Sequence, residues 1–216
     1  FSRCAAQDDR TDLWPMKSRE SGYVFVRAPM IGAVKRRLAA DIGEMEAWRF
    51  YRETTRMIVR RLAADVRWRT LLAVTPDRRA RSSWRYPPGV KQIPQGTGDL
   101  GRRMTRVLCR DPFQSTIIVG SDIPNIEPAH ISQAFAALMC HDAVFGPSPD
   151  GGYWLVGVRD IRLLPGLFCG VRWSSSSALA DTLDNIDGRR RIALIETLAD
   201  VDDGEGLAQW RAQALS

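Results

Sequence analysis

Histidine and cysteine are scarce in this chain, and their positions exclude several chemistries. The 216 residues contain two histidines, His130 and His141, and four cysteines, Cys4, Cys109, Cys140 and Cys169. No two cysteines form a C-x-x-C pair and no histidine stands at ligand spacing from one, so a zinc site lacks its residues. A Ser-His-Asp triad and an activated cysteine nucleophile both need a histidine base. Both histidines fall in or beside a predicted helix and read as surface residues. The cysteines read as free thiols of a reducing, cytoplasmic compartment. Long apolar runs are missing too. Nothing approaches 18 consecutive apolar residues, which argues against membrane insertion. No secretory pattern precedes the first predicted strand, and the chain opens on Phe1 rather than Met, as expected of a trimmed or processed start. No helix-turn-helix, RNP or KH signature is present, and the arginines are scattered among acids rather than gathered into a stripe. The net charge of +6 therefore points to an anionic small partner, a nucleotide, and not to nucleic acid. There is no Walker spacing and no internal repeat.

What remains is an ordinary apolar content, 44%, in a chain long enough for one layered domain burying about 70% of its unfolded surface. Residues 1–21 are polar and aperiodic and are expected to form a flexible arm; 22–216 form the domain. Tyr23–Arg27 reads as the first strand and Arg69–Thr75 as the second. A short third strand is expected at Val90–Ile93 and a central one at 116–120. Asp41 and Glu44 are expected to cap a long helix in which Met45, Trp48, Tyr51, Thr55, Ile58 and Leu62 recur at helical spacing as a packing stripe. Further helices are expected near 99–110, from Pro128, near 176–186 and near 204–214. Apolar runs at 142–146, 153–158 and 192–195 supply the remaining strands. Strands alternate with helices almost throughout. The fold class is therefore α/β, a three-layer α/β/α arrangement on a mostly parallel sheet.

Four loops of such a sheet would share one edge. The run Thr116-Ile-Ile-Val does not alternate, so it reads as a strand buried on both faces; Gly120, Ser121 and Asp122 follow it. A carboxylate just past the carboxyl end of a central strand lies where open α/β sheets bind ligands, and it suits a hard divalent cation. The loop after the first strand, Ala28 to Leu38, contains Pro29 and Gly32, which leave amides exposed, and then Lys35 and Arg37. This combination makes a phosphate cradle. Gln95 to Gly101 carries Gly96 and Gly98, which let backbone approach a base or ribose. Gln95 could read a base edge and Asp99 could bond a ribose hydroxyl or cap the next helix. In the fourth loop Asp150 follows Asp122 by 28 residues, room for a helix and a strand to return to the same edge; Gly151 and Gly152 would let the chain pass beneath a substrate. Each loop has a plainer reading as well: a solvated basic turn, a helix cap, a turn-capping Asp122, an Asp-Gly hairpin.

Five segments appear in the order of a known family: Phe25-Val-Arg-Ala-Pro-Met-Ile-Gly-Ala-Val-Lys-Arg-Arg-Leu-Ala39, Gln95-Gly-Thr-Gly-Asp-Leu-Gly-Arg-Arg-Met104, Val119-Gly-Ser-Asp-Ile-Pro124, Gly146-Pro-Ser-Pro-Asp-Gly-Gly-Tyr-Trp-Leu-Val-Gly157 and Val171-Arg-Trp-Ser174. They resemble a bacterial family of GT-A-like nucleotide-diphospho-sugar transferases, including glycosyltransferases of the arsenosugar-biosynthesis type. The similarity extends distantly to the guanylyltransferases that activate phospholactate and the molybdenum cofactor. The resemblance covers about Tyr23 to Trp210. It implies that Lys35 and Arg37 hold nucleotide phosphates, with Pro29, Gly32 and Ser121 nearby, and that the Gln95, Gly96, Gly98 and Asp99 loop holds base and ribose. It implies Mg²⁺ or Mn²⁺ at Asp122, completed by Asp202, and an acceptor or transferred group facing Asp150, Gly151, Gly152, Trp173 and Ser174. The chain departs from the family pattern at Arg36 and Asp203, where the family has Thr, and at Ser175. The activity implied is metal-dependent transfer from a nucleotide or nucleotide-sugar donor to a small-molecule acceptor, with Asp150 and Lys35 as catalytic candidates. Transfer of a nucleotidyl group from an NTP to a phosphorylated small molecule, or nucleotide binding without turnover, are the alternatives.

Overall fold

The computed structural model of the chain describes residues 20–80, 89–110 and 114–213. The expected arm lies outside the described residues up to position 19; Glu20 and Ser21 already lead into the sheet, the Glu20 carbonyl accepting from the Arg69 amide. The strands are β1 (Ser21–Arg27), β2 (Arg69–Thr75), β3 (Lys91–Pro94), β4 (Thr116–Val119), β5 (Ala143–Pro147), β6 (Tyr153–Val158) and β7 (Ile192–Leu194). The helices are α1 (Arg36–Ile42), α2 (Glu44–Ala63), α3 (Asp77–Ala80), α4 (Leu100–Leu108), α5 (Pro128–Leu138), α6 (Ala178–Asp184) and α7 (Gly204–Gln213).

The strands form one sheet in the order β3-β2-β1-β4-β6-β5-β7. Only β6 runs against its neighbours β4 and β5; the other pairings are parallel. The chain builds outward from β1 to β3, then crosses back to place β4 on the other side of β1. Loops leaving β1 and β4 therefore diverge, opening a crevice at the carboxyl edge between them, the usual ligand position in such sheets.

Alternate strand residues bury on opposite faces. Val24, Val26, Leu72, Ile117, Val119 and Val144 pack with Ile58, Leu62, Ile131 and Phe135 of α2 and α5. Tyr23, Leu71, Ile118, Phe145 and Val156 pack with Met104 and Val107 of α4 and with Leu167 and Phe168. This is the three-layer α/β/α arrangement, and it explains why β4 shows no polar alternation: all of its residues are buried. A third, smaller cluster is formed by Leu38, Ala47, Val201 and Leu207, with Phe50 and Trp210 against it. It docks the C-terminal segment onto α1 and the start of α2.

One expectation is corrected. The long helix is present as α2, but it starts after Gly43, at φ 88°, and a separate short helix, α1, precedes it in the stretch expected to be loop. Asp41 therefore lies inside α1 rather than capping a helix, and its carboxylate accepts from the Gly204 amide at 2.8 Å. In the stripe, Tyr51, Thr55, Ile58 and Leu62 are buried, whereas Met45 is exposed. The short helix α3 has no buried residue and so no apolar period by which a sequence pattern could report it.

Phe145 is fully buried in β5 and meets Tyr153 edge-to-face at 5.4 Å. Phe145→Ala is expected to destabilise the fold by about 3–5 kcal/mol, read as a lower urea midpoint with unchanged m-value.

Candidate functional site

The site starts where β1 ends. The loop from Ala28 is tied down by Trp48, whose indole N–H donates to the Pro29 carbonyl at 3.0 Å. It closes in a turn through Ala33 N to Met30 O and delivers Lys35 at the head of α1 with φ 46° and ψ 53°. Lys35 and Ser174 are the two non-glycine residues of positive φ among those described. Such conformations cost energy and persist only where the surroundings enforce them.

The surroundings of Lys35 are acidic. Its ammonium lies 2.9 Å from Asp122, 2.7 Å from Asp202 and 3.8 Å from Asp200, and its side chain is only 4% exposed. Arg37, 81% exposed, reaches Asp202 at 3.6 Å. Asp122 comes from the loop after β4. Asp200 and Asp202 come from the extended segment before α7, where the intervening Val201 buries into the third cluster and its amide donates to the Asp122 carbonyl at 3.3 Å. Burying the middle residue of Asp-Val-Asp leaves both acids turned to Lys35. Oxygens of the three carboxylates lie within 4.8 Å of one another. Burial raises the Asp200 carboxyl to about 6; Lys35 opposes this, while Asp122, Asp202 and Asp150 add to it. Burial pulls the Lys35 amine down, but Asp122 and Asp202 outweigh it and the net shift is upward.

Beneath the acids is a buried polar brace. The Tyr51 hydroxyl accepts from the Arg27 amide, donates to the Arg27 carbonyl and lies 3.1 Å from Ser121 Oγ. Thr55 donates to the Ser121 carbonyl. Ser121, expected beside the nucleotide, is 4% exposed and spends its groups on this brace. Tyr51 read as packing alone; only the fold shows that its hydroxyl locks the ends of β1 and β4 together.

The glycine-rich turn lies on the other side of β1. Gln95 is 2% exposed. Its amide donates to the Val26 and Ala73 carbonyls, and its oxygen accepts from Arg103. The amide thus joins the edges of β1 and β2 and is spent on protein partners. Gly96 and Gly98 adopt φ 81° and 107°, the Gly96 amide donates to Asp77, and Asp99 caps α4 by accepting from the Arg102 amide at 2.8 Å. Arg106 binds the Gln95 and Thr97 carbonyls.

Across the crevice, a cleft is lined by Asp122, Asp200, Asp150, Gly152, Trp173 and Ser174, among others. Asp150 sits in the turn of the β5–β6 hairpin, exposed, with one oxygen accepting from the Gly152 amide at 2.9 Å. Gly151, at φ 84°, passes so close to Ser176 that an added Cβ would lie 2.1 Å from its carbonyl oxygen. The Gly151 carbonyl also accepts from the Leu179 amide at 3.0 Å, which ties the hairpin to the segment following Ser174. Asp122, Asp150, Gly152, Trp173 and Ser174 are thus brought to one cleft, and Asp122, Asp202 and Lys35 to one cluster beside it. Pro29, Gly32, Arg37, Gln95, Gly96, Gly98 and Asp99 do not line this cleft; they belong to the loop after β1, to the start of α1 and to the turn after β3. Asp200 is the residue that sequence reasoning passed over, although an apolar residue between two acids is a signal that the acids share one side of an extended chain.

The family described as an uncharacterized protein conserved in bacteria (DUF2064) matches residues 58–175, more than half of the sequence. The chain belongs to this family. No protein of curated function matches it. Among solved structures, a candidate nucleotide-diphospho-sugar transferase of Desulfovibrio desulfuricans G20 is 26% identical, with TM-score 0.81 over 92% of this chain and 89% of that one. The 4-diphosphocytidyl-2C-methyl-D-erythritol synthase of Anaerococcus prevotii is 10% identical, with TM-score 0.57 over 91% and 98%. Rv0371c of Mycobacterium tuberculosis H37Rv, in complex with manganese, is 15% identical, with TM-score 0.51 over 88% and 96%. The last two share the fold. Within the DUF2064 chain the carboxylate cluster is an all-oxygen donor set, the kind that hard divalent cations prefer. The three carboxylates outnumber the single buried ammonium, so the donor set fits such an ion in both chemistry and charge. No helix among the described residues is long and apolar enough to cross a membrane, and Cys109, Cys140 and Cys169 form no disulfide.

Tyr51→Phe removes the hydroxyl of the brace and leaves the part-buried Arg27 backbone groups and the buried Ser121 hydroxyl without this partner. A loss of about 1–3 kcal/mol is expected in chemical denaturation.

Proposed function

We propose that this chain is a metal-dependent transferase that uses a nucleotide-activated donor, a nucleotide-diphospho-sugar, and passes its sugar to a small-molecule acceptor. One observation carries the reading. Three carboxylates from two distant segments, Asp122 on one and Asp200 with Asp202 on the other, converge at the strand-order reversal, beside a cleft that ends in a further exposed acid. Likeness over nearly the whole chain to a candidate transferase of this kind supports it.

In this reading Asp122, Asp200 and Asp202 would hold Mg²⁺ or Mn²⁺. The ion would neutralise the diphosphate as it becomes the leaving group. Lys35 and Arg37 supply charge-assisted hydrogen bonds to phosphate oxygens, with Pro29 and Gly32 shaping the loop that presents them. The backbone at Gly96 and Gly98 accommodates base and ribose, and Asp99 fixes the helix behind them. The acceptor occupies the cleft. Trp173 and Tyr153 wall it, their rings 6.4 Å apart, and Ser174 offers a hydroxyl at its strained turn. Gly151 and Gly152 keep that floor low. Asp150 has an oxygen free to orient the acceptor hydroxyl and take its proton as the bond to the anomeric carbon forms.

Asp122→Asn is expected to lower turnover by about 10²-fold or more, the scale of losing one preorganised electrostatic contact. Unchanged turnover with a cation still required would remove Asp122 from the ligand set. Product analysis separates the two transfer chemistries. Hydrolysis or transfer of the sugar from a nucleotide sugar supports the proposal. Pyrophosphate release from an NTP, with nucleotide sugars left intact, would assign nucleotidyl transfer instead.

A further inference from the structure

The cation-binding reading leaves one group unexplained: the carboxylates meant for a divalent ion already hold a cation of their own. Lys35 places its ammonium 2.7 Å from Asp202 and 2.9 Å from Asp122, buried to 4% exposure, whereas the side chains of Asp122 and Asp202 are 34% and 45% exposed. The lysine thus lies beneath acids that open to solvent. An ammonium at hydrogen-bonding distance engages two of the carboxylates, those of Asp122 and Asp202, that a coordinated cation would need. Two cations that close together repel strongly.

The residue type matters here. The sequence has 28 arginines and three lysines, Lys17, Lys35 and Lys91. At this position it carries the compact ammonium on a flexible stem rather than a planar guanidinium fixed by its fork. Such a group fills an ion-sized position, and it can leave by rotating its stem without moving the helix behind it. Its backbone is already held at φ 46° by the loop after β1, so the side chain, not the turn, is the movable part.

Resting on the divalent-cation reading of the site, we propose that the Lys35 ammonium is a resident counter-ion that competes with the divalent cation for the oxygens of Asp122 and Asp202, so that cation entry expels Lys35 from the cluster. In the cation-free protein the lysine keeps three neighbouring carboxylates from repelling one another. Once expelled, it is a donor without a partner at the mouth of the crevice, where an anion can engage it. One side-chain rotation thereby links cation entry to anion capture.

Two measurements test this. The first is Mn²⁺ titration of the nucleotide-free protein, following free Mn²⁺ by electron paramagnetic resonance. Lys35→Met is expected to bind Mn²⁺ about tenfold more tightly than wild type, or better, a coupling of ordinary size between mutually exclusive groups. The second uses wild type alone, so it stands even if the variant fails to fold. Acetylation by an amine-reactive reagent is read peptide by peptide by mass spectrometry. Lys35 is expected to be protected without metal and to become labelled as Mn²⁺ saturates, with Lys17 and Lys91 as internal references. Tighter binding by the variant together with metal-induced labelling supports the proposal. Equal or weaker Mn²⁺ binding by Lys35→Met, or Lys35 labelling unchanged at saturating Mn²⁺, overturns it and leaves the divalent-cation reading standing. Absence of Mn²⁺ binding by both proteins overturns that reading and the proposal together.

Discussion

The clasp between Lys35 and the carboxylates of Asp122, Asp200 and Asp202 is the interaction on which the rest of this structure turns. It joins the loop after β1 to the loop after β4 across the point where the strand order reverses, and it draws in a third segment from near the C-terminus. Without a cation among them, three carboxylates so close together would repel at short range in a half-buried place, where solvent screens poorly. The fold therefore needs positive charge here, and the chain supplies one unit of its own. The three carboxylates still outnumber that one ammonium.

That arrangement is held by devices hidden beneath it. The Tyr51 hydroxyl ties Arg27 to Ser121 and so fixes the spacing of the strand ends on which Lys35 and Asp122 stand. Val201, pressed into the cluster of Leu38, Ala47 and Leu207, orients the acids on either side of it. Gln95 does comparable work on the far side of β1, its buried amide satisfying carbonyls of two adjacent strands. Buried polar groups of this kind are costly unless fully bonded. Here they are bonded, and each sits under a loop that faces the crevice. The rim is divided accordingly: basic and glycine-rich over β1 to β3, acidic at the switch point, aromatic and hydroxyl-bearing over β5 and β6.

Much of the architecture was legible because periodicity reports burial directly. The unbroken apolar run of β4 required a strand covered on both faces, and Pro128 marked the start of α5. Gly43 shows the limit of such reading. Asp41 and Glu44 have the spacing of a cap, yet the helix starts after Gly43 and Asp41 belongs to α1, because Gly43 adopts a φ of 88° that no pattern encodes. The loops were legible as loops; the partners of their side chains were not. Gln95 and Ser121 carry polar groups suited to a ligand, yet both are buried and bonded within the protein. Burial depends on neighbours far away in the chain.

The sequence by itself determined the alternation of strands and helices, the carboxyl-edge position of the four loops and the chemical types gathered there, because those depend on local period and on the conformational habits of glycine, proline and β-branched residues. Only the tertiary structure decided that Lys35 would face acids, that Asp200 would join Asp122 and Asp202, and that Tyr51 would brace them. Each of these is a contact between segments up to 167 residues apart, and its sign and distance are set by how the layers pack and by where the last segment docks.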